Sequence, residues 1–304
     1  MTVQQRFSLN SETQFPTVGF GTYLISSDDA AEAVSRAIAA GYRHIDTAAV
    51  YENERAVGEG IRTGLTATGL LRTDIFVTTK LWPGYAGWGE EPKSEAETLA
   101  AFDGSLDRLG LDYVDLYLIH SPHGGSQRLA QWRALVQLKQ AGKAHSIGVS
   151  NYSQKHIEEI KAAGLPLPEA NQIELHPWSQ KVELVTYLRE NGIAPIAYSS
   201  LAPLSNWRGE DVAASSKTNA MEQGGEVFVK LAAKYGVSEA QFLLRWGIQN
   251  GYAVLPKSLN QKRMIDNLDI FGFSIDEDDI SLIRTLDRGD GIAWGATGDP
   301  TSVE

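Results

Sequence analysis

The chain has 304 residues, of which 42% are hydrophobic, so it is long enough to bury a large core as one α/β barrel. Its net charge is -11 without a basic block, which argues against nucleic acid or an anionic membrane as a partner. The absence of cysteine excludes disulfides, thiolate metal sites and a cysteine nucleophile. Neither a signal peptide nor an apolar run of about 18 residues is evident, so we expect a cytoplasmic protein.

The chain begins with alternating apolar and polar residues from Arg6 to Pro16, which predict a small β-hairpin. Short apolar strands then alternate with amphipathic helices. Serine and aspartate are preferred helix caps, and they predict helix starts at Ser27 or Asp28, Ser94, Ser153 and Ser179. A polar segment over residues 205–225 predicts a long surface loop. The predicted strands cover residues 18–23, 43–46, 74–79, 113–119, 145–149, 170–175, 193–197 and 252–255.

Eight strand–helix units without a linker predict a (β/α)8 TIM barrel preceded by the hairpin, in a single domain over residues 1–304. An open, doubly wound sheet is the alternative. That fold normally carries G-x-G-x-x-G after its first strand, and residues 19–24 read GFGTYL, which lacks the third glycine. The pattern therefore favours the closed barrel.

Polar residues stand at the ends of the predicted strands. In a parallel barrel these ends share one face, where active sites are built. Any one such residue fits a cap or a buried structural group, but seven strand ends on one face favour a functional site. The residues are Asp46, Lys80, His120, Ser150 with Asn151, Gln172, Tyr198, and Lys257 with Ser258.

Tyr51, five residues after Asp46, adds a proton donor to this face. The reference pKa of tyrosine is about 10, and we expect the Lys80 ammonium to lower it, typically by about 1–3 units for a close opposite charge. Asp46 is expected to hold Lys80, and His120 to orient a carbonyl oxygen or share its proton. This set suits proton delivery to an oxygen that gains charge. It lacks a hydride source, so a cofactor is implied.

Six stretches carry a resemblance to a known family: GYRHIDTAAVYENE at 41–54, TTKLW at 78–82, DLYLIH at 115–120, GVSNY at 148–152, NQIELHP at 171–177 and LPKSLNQKRMIDN at 255–267. They resemble the aldo-keto reductases, NAD(P)H-dependent (β/α)8-barrel enzymes, over essentially the whole chain. The resemblance implies that Tyr51 is the general acid, tuned by Lys80 and Asp46, with His120 aligning the substrate carbonyl.

The resemblance also implies a nicotinamide site. Ser150, Asn151 and Gln172 would hold the carboxamide, and Tyr198 would be the aromatic platform under the ring. Further cofactor contacts are implied at Gly21, Thr22, Tyr23, Asp46, Ser199 and Leu201.

The last stretch is similar to the segment that binds the other end of the cofactor. A helix start near Asn260, preceded by Lys257 and Ser258, offers backbone N–H groups and charge to a phosphate. Arg263, one helical turn on, suits a 2′-phosphate because a guanidinium binds it in fork geometry. The resemblance thus implies NADPH, with NADH weaker, and Asp266 and Asn267 near the adenine. Asn260 and Asp266 replace the common Thr and Glu, which leaves the strength of the preference open.

The resemblance implies an apolar substrate pocket above the nicotinamide. Ser121 follows His120 where the family often has Trp, so one aromatic wall is expected to be missing and the pocket to be roomier. The expected pocket residues are Tyr23, Val50, Tyr51, Trp82, His120, Ser121 and Trp207 or Trp294.

Three functions are compatible with these residues. The first is a monomeric NADPH-dependent reductase of aldehydes, ketones or open-chain sugars, with hydride transfer from nicotinamide C4. The second is a non-catalytic NADPH-binding, sensing barrel. The third is a metal-dependent barrel hydrolase built on Asp46, His120 and His176, against which the lack of H-x-H and H-E-x-x-H spacing argues, so no metal is expected.

Overall fold

A closed ring of eight parallel strands organises the protein, whose computed structural model describes residues 6–9, 13–204, 225–289, 291, 293–294 and 298–303. The strands neighbour one another in chain order from β3 to β10. Val18 pairs in parallel with Val254, and Gly19 N donates to Val254 O at 2.9 Å, which joins the first strand to the last. The predicted barrel is confirmed. Its strands are β3 (Phe20–Gly21), β4 (His44–Asp46), β5 (Phe76–Leu81), β6 (Val114–Ile119), β7 (Ala144–Ser150), β8 (Ala170–Glu174), β9 (Ala194–Tyr198) and β10 (Ala253–Val254).

The predicted hairpin covers the amino-terminal end of the barrel. It consists of β1 (Arg6–Ser8) and β2 (Gln14–Pro16), paired antiparallel. Phe15 is fully buried, and its ring centroid lies 6.0 Å from that of His44 and 5.8 Å from that of Phe76, the first residues of β4 and β5. The carboxyl ends of the strands lie at the opposite end of the barrel.

Ten α-helices lie within the part of the chain that the structure describes, and their caps match the sequence in part. Ser94 and Ser153 cap helices as predicted. Ser26, one residue earlier than expected, caps α1, since its side chain accepts from Asp29 N. Ser179 caps no helix: it is buried in a turn that bridges to His176, so this expectation is wrong. The helices are α1 (Ser27–Ala40), α2 (Glu54–Thr68), α3 (Glu95–Leu109), α4 (Arg128–Gln140), α5 (Gln154–Ala162), α6 (Val182–Glu190), α7 (Glu226–Tyr235), α8 (Glu239–Gln249), α9 (Gln261–Leu268) and α10 (Glu277–Arg284).

The core lies between the strands and the helices, and α1 and α2 pack especially closely. A Cβ at Gly60 would lie 2.5 Å from Ala31 O, so only glycine permits this approach. Val34 of α1 and Ile61 of α2 are fully buried beside it. This packing fixes the start of α2, three residues after Tyr51.

The predicted loop at 205–225 lies, apart from Gly225, outside the described residues. Of the helices described, none combines the length and apolarity that a membrane span requires.

Candidate functional site

The carboxyl ends of β4 and β5 bring Asp46 and Lys80 into contact. Lys80 Nζ lies 2.6 Å from Asp46 Oδ1, and it also donates to the Thr47 carbonyl at 2.9 Å. The other carboxylate oxygen, Asp46 Oδ2, accepts from Gln172 Nε2 at 2.8 Å. Lys80 is fully buried and Asp46 is 3% exposed, so this ion pair is shielded from water and its charges are held in one geometry.

Tyr51 lies over the ion pair on a 3-10 turn formed by Ala49–Tyr51. Lys80 Nζ donates to Tyr51 Oη at 3.3 Å. The Tyr51 ring packs against the rings of Tyr23 and His120, at centroid distances of 5.0 and 5.5 Å. The predicted catalytic group of Asp46, Tyr51, Lys80 and His120 therefore meets in one place.

The protonation of Tyr51 differs from the expectation. Burial raises its pKa well above 10, and the charge of Asp46 and the neighbouring Tyr23 raise it further. The expected net lowering by Lys80 is wrong, because Asp46 offsets the ammonium and burial disfavours the phenolate. Burial likewise lowers the pKa of Lys80, while Asp46 opposes that shift. Tyr51 is therefore a phenol at neutral pH, which suits a proton donor.

His120 is a neutral group beside the phenol. Burial lowers its pKa well below 6.5, and the charge of Lys80 adds to the effect. A neutral imidazole donates a hydrogen bond from one ring nitrogen but carries no surplus proton. His120 can therefore orient an oxygen, while Tyr51 is the better proton source.

Ser150, Asn151, Gln172 and Tyr198 form a second cluster at the ends of β7, β8 and β9. Ser150 Oγ donates to Gln172 O at 2.7 Å, and Asn151 Nδ2 donates to Ser150 Oγ at 3.0 Å. Tyr198 Oη donates to Asn151 Oδ1 at 2.7 Å. Asn151 holds a left-handed backbone with φ 62°, a conformation of the kind that clusters at functional sites. The cluster is a rigid, polar patch with an aromatic ring beside it.

The remaining residues expected near the cofactor stand at the carboxyl ends of β3 and β9. Thr22 Oγ1 donates to Asp46 O at 3.0 Å, which ties β3 to β4. Gly21 N donates to Pro256 O at 3.1 Å, and Ser199 has a left-handed φ of 54°. Leu201 is half-buried after β9.

The start of α9 carries the positively charged residues that the sequence predicts for phosphate binding. Asn260 caps the helix, because its Oδ1 accepts from Arg263 N at 3.0 Å. Lys257 and Arg263 are exposed, and neither forms an ion pair with any residue that the structure describes. Ser258 Oγ accepts from Asn260 N at 3.0 Å and shapes the loop. Backbone N–H groups and two available cations thus converge on one exposed helix end.

Two residues of α9 have roles that the sequence did not reveal. Asp266 pairs with Lys262 at 2.7 Å on the helix surface. Asn267 is buried and interacts with Tyr42, whose hydroxyl also donates to Met264 O at 3.1 Å. Asn267 therefore packs α9 against the barrel.

The expected pocket residues fall into three groups. Trp82 packs edge-on against His120 and Trp294 contacts His123, while Tyr23 and Val50 are exposed. Ser121 is fully buried and bonds His123 Nδ1 through its hydroxyl at 2.9 Å, so it does not line the pocket. Trp207 lies outside the described residues.

Three further aromatic residues lie beside Trp82 and Trp294. Trp88 stacks on Trp82 with centroids 5.2 Å apart, and Tyr85 packs on His123 at 4.1 Å. His123 in turn contacts Trp294 at 5.8 Å. The loop after β5 thus places aromatic rings near His123, and the expectation of a roomier pocket stays a prediction. In the sequence, only the three aromatic residues between positions 82 and 88 indicated that this loop forms ring contacts.

The metal-hydrolase alternative gains no support. Across the residues that the structure describes, no group of three His, Asp or Glu side chains could hold a metal ion. His176 instead lies 2.9 Å from the Glu174 carboxylate.

Comparisons with known proteins agree with this geometry. The sequence model of the Aldo/keto reductase family matches residues 17–288. The glyoxal reductase of Bacillus subtilis (strain 168) is 38% identical over 281 residues, which cover 92% of each chain. The morphine 6-dehydrogenase of Pseudomonas putida is 38% identical over 283 residues, 93% of this chain and 91% of the relative.

Solved structures are similar over nearly their full length. An aldo/keto reductase from Brucella melitensis is 40% identical with a TM-score of 0.80, covering 94% of this chain and 100% of that chain. The Bombyx mori aldo-keto reductase, solved in complex with NADP, is 34% identical with a TM-score of 0.84, covering 95% and 94%.

Proposed function

The chain belongs to the aldo/keto reductase family and is an NAD(P)H-dependent oxidoreductase, and from that premise we propose that it uses NADPH to reduce aldehydes, ketones or open-chain sugars to alcohols. The observation that carries the proposal is the buried contact of Lys80 with both Asp46 and Tyr51. It pairs a protonated phenol with a cation that stabilises the phenolate once the proton has left.

The polar cluster fits a nicotinamide carboxamide. Gln172 Oε1 has no hydrogen bond within the described part of the chain, and Asn151 Oδ1, which accepts one bond from Tyr198, keeps a second lone pair. Both atoms are acceptors, which is the chemistry that a carboxamide NH2 requires. The Tyr198 ring offers the stacking surface beside them. Bound NADPH supplies the hydride that reaches the carbonyl carbon.

The opposite end of the cofactor site fits a phosphate. Arg263 and Lys257 are exposed beside the capped start of α9, so they can bind a 2′-phosphate without first breaking an ion pair. The NADP bound by the silkworm relative supports this choice of cofactor.

The proton comes from Tyr51 in this proposal. Its raised pKa keeps the phenol protonated until the carbonyl oxygen gains charge. Neutral His120, with its ring 5.5 Å from that of Tyr51, donates a hydrogen bond that aligns the same oxygen. The phenolate then forms 3.3 Å from Lys80 Nζ, and the alcohol has received one hydride and one proton.

The test is NADPH oxidation, followed optically against aldehydes that include glyoxal, ketones and keto sugars, with NADH in parallel. Turnover of carbonyls with NADPH well above NADH is the expected result. Tight NADPH binding without turnover on any of them would contradict the reductase and favour the sensing barrel.

A further inference from the structure

The carboxyl-terminal tail is anchored to the end of β8. Ala293 N donates to both carboxylate oxygens of Glu174, at 3.0 and 2.9 Å, and Glu174 is 3% exposed. A Cβ at Gly291 would lie 2.5 Å from Glu174 Oε2, so a glycine is required for the approach. The anchor fixes the position of the next residue, Trp294.

Trp294 reaches the aromatic platform of the cofactor site. Its indole Nε1 donates to Tyr198 Oη at 2.9 Å. An indole N–H only donates, so the Tyr198 oxygen must accept this bond. The hydroxyl proton of Tyr198 is therefore available for a hydrogen bond to another acceptor. That proton goes to Asn151 Oδ1 at 2.7 Å.

The direction of these two bonds sets the orientation of the Asn151 amide. Because Oδ1 accepts from Tyr198, Nδ2 points the other way, and it donates to His120 O and Ser150 Oγ, each at 3.0 Å. One chain of hydrogen bonds thus runs from the tail through Tyr198 and Asn151 to the strand end that carries His120.

We propose that Trp294 is a positioning residue that orients the Tyr198 ring and the Asn151 amide for the nicotinamide. This inference rests on the proposed function, because it assumes that the polar cluster of Asn151 and Tyr198 binds the nicotinamide. Trp294 also contacts His123, whose ring packs on Tyr85 of the pocket wall. Trp294 therefore joins the aromatic residues of the expected substrate pocket to Tyr198 of the cofactor site.

A double-mutant cycle on Trp294 and Tyr198 tests the link. Trp294→Phe keeps a ring and removes the donor, and Tyr198→Phe keeps the platform and removes the hydroxyl. We expect Trp294→Phe to raise the NADPH Kd, measured by calorimetry, by about threefold to tenfold, the range for one neutral hydrogen bond. It should also lower kcat more than it changes the substrate KM. In the Tyr198→Phe background the same change should have no further effect on Kd.

Trp88→Phe is the matched control. Trp88 stacks on Trp82 in the same wall but has no hydrogen bond to Tyr198 among the described residues, so it should alter the substrate KM and leave the NADPH Kd unchanged. Thermal unfolding checks that each variant is folded.

Two results would overturn the proposal: an NADPH Kd unaffected by Trp294→Phe, or an equal effect in both backgrounds, which would mean that Trp294 acts through bulk alone. The double-mutant cycle measures the NADPH Kd and does not depend on turnover. Failure of the reductase itself would appear separately, as a wild-type protein that binds NADPH and reduces no carbonyl.

Discussion

Lys80 Nζ lies 2.6 Å from Asp46 Oδ1, and both side chains are almost completely buried. Removing one partner of such a pair leaves an uncompensated buried charge, which costs about 3–5 kcal/mol. We therefore expect Asp46→Asn to lower the free energy of unfolding by that order and to remove most turnover. Urea unfolding and steady-state kinetics measure the two effects.

The double variant Asp46→Asn, Lys80→Met separates stability from catalysis. It leaves no unpaired charge, so most of the lost stability should return. Turnover should not return, because no cation remains beside Tyr51 Oη. A single variant as stable as the wild type would show that the pair is not buried as described.

The protonation states of Tyr51 and His120 predict a flat pH profile for carbonyl reduction. Burial, with Asp46 and Tyr23 adding to it, raises the pKa of Tyr51 well above 10, so the donor is lost only at higher pH. Burial and then Lys80 lower the pKa of His120 well below 6.5, so it charges only in acid. We expect kcat to be constant between about pH 6.5 and pH 10, the unshifted values of the two side chains. A break in kcat near pH 8 that disappears in Tyr51→Phe would contradict a strongly raised pKa.

Arg263 and Lys262 are neighbours on α9 that differ in pairing. Lys262 bonds Asp266 at 2.7 Å, whereas Arg263 has no ion pair in the described ranges. Because hydrogen bonds to charged groups contribute about 1.5–3 kcal/mol, Arg263→Ala should raise the NADPH Kd roughly tenfold to a hundredfold. NADH lacks the 2′-phosphate, so its Kd should change little.

Lys262→Ala is the control for this prediction, and it should affect neither cofactor strongly. The NADPH Kd of the wild type should also rise with salt more steeply than that of Arg263→Ala. Equal losses for NADPH and NADH in Arg263→Ala would mean that the residue supports the helix rather than the phosphate.

The burial of His44 predicts that the protein loses stability in acid. It is fully buried, with Nε2 2.9 Å from Thr78 Oγ1. Burial lowers its pKa to about 4, against a smaller opposing effect of Asp46. Because the unfolded chain binds the proton first, stability from neutral His44 is complete above pH 6.5 and is lost as the pH falls towards 4, by roughly 3 kcal/mol in all.

Urea unfolding between pH 7 and pH 4 measures this loss. His44→Gln should flatten the decline, whatever its effect at neutral pH, and the half-exposed His145→Gln should not. An unchanged slope in His44→Gln would assign the acid sensitivity to other groups.

Hydrophobic periodicity predicted the barrel, and the strand-end rule predicted the face on which the candidate residues meet. Asp46, Lys80 and His120 stand at or near the carboxyl ends of neighbouring parallel strands, so their convergence follows from the strand order. Helix caps were predicted less well, since Ser27 or Asp28 was expected to cap α1 and Ser26 caps it instead. Ser179 shows the limit, because its turn with His176 is a tertiary feature.

Other properties of the site depend on distances that no sequence pattern specifies. The pKa of Tyr51 reflects burial together with the neighbouring Asp46 and Tyr23, and only their geometry shows that the net direction is upward. The aromatic wall depends on the path of the loop that carries Tyr85 and Trp88 to His123.

The most direct measurement of the central claim is turnover and NADPH binding by Tyr51→Phe. The substitution keeps the ring against Tyr23 and His120 and removes only the proton donor. We predict that carbonyl reduction falls by about 10²–10⁴-fold, the usual contribution of a general acid, while the NADPH Kd stays close to that of the wild type. Full turnover in Tyr51→Phe would contradict the account, because the proton would then come from another group.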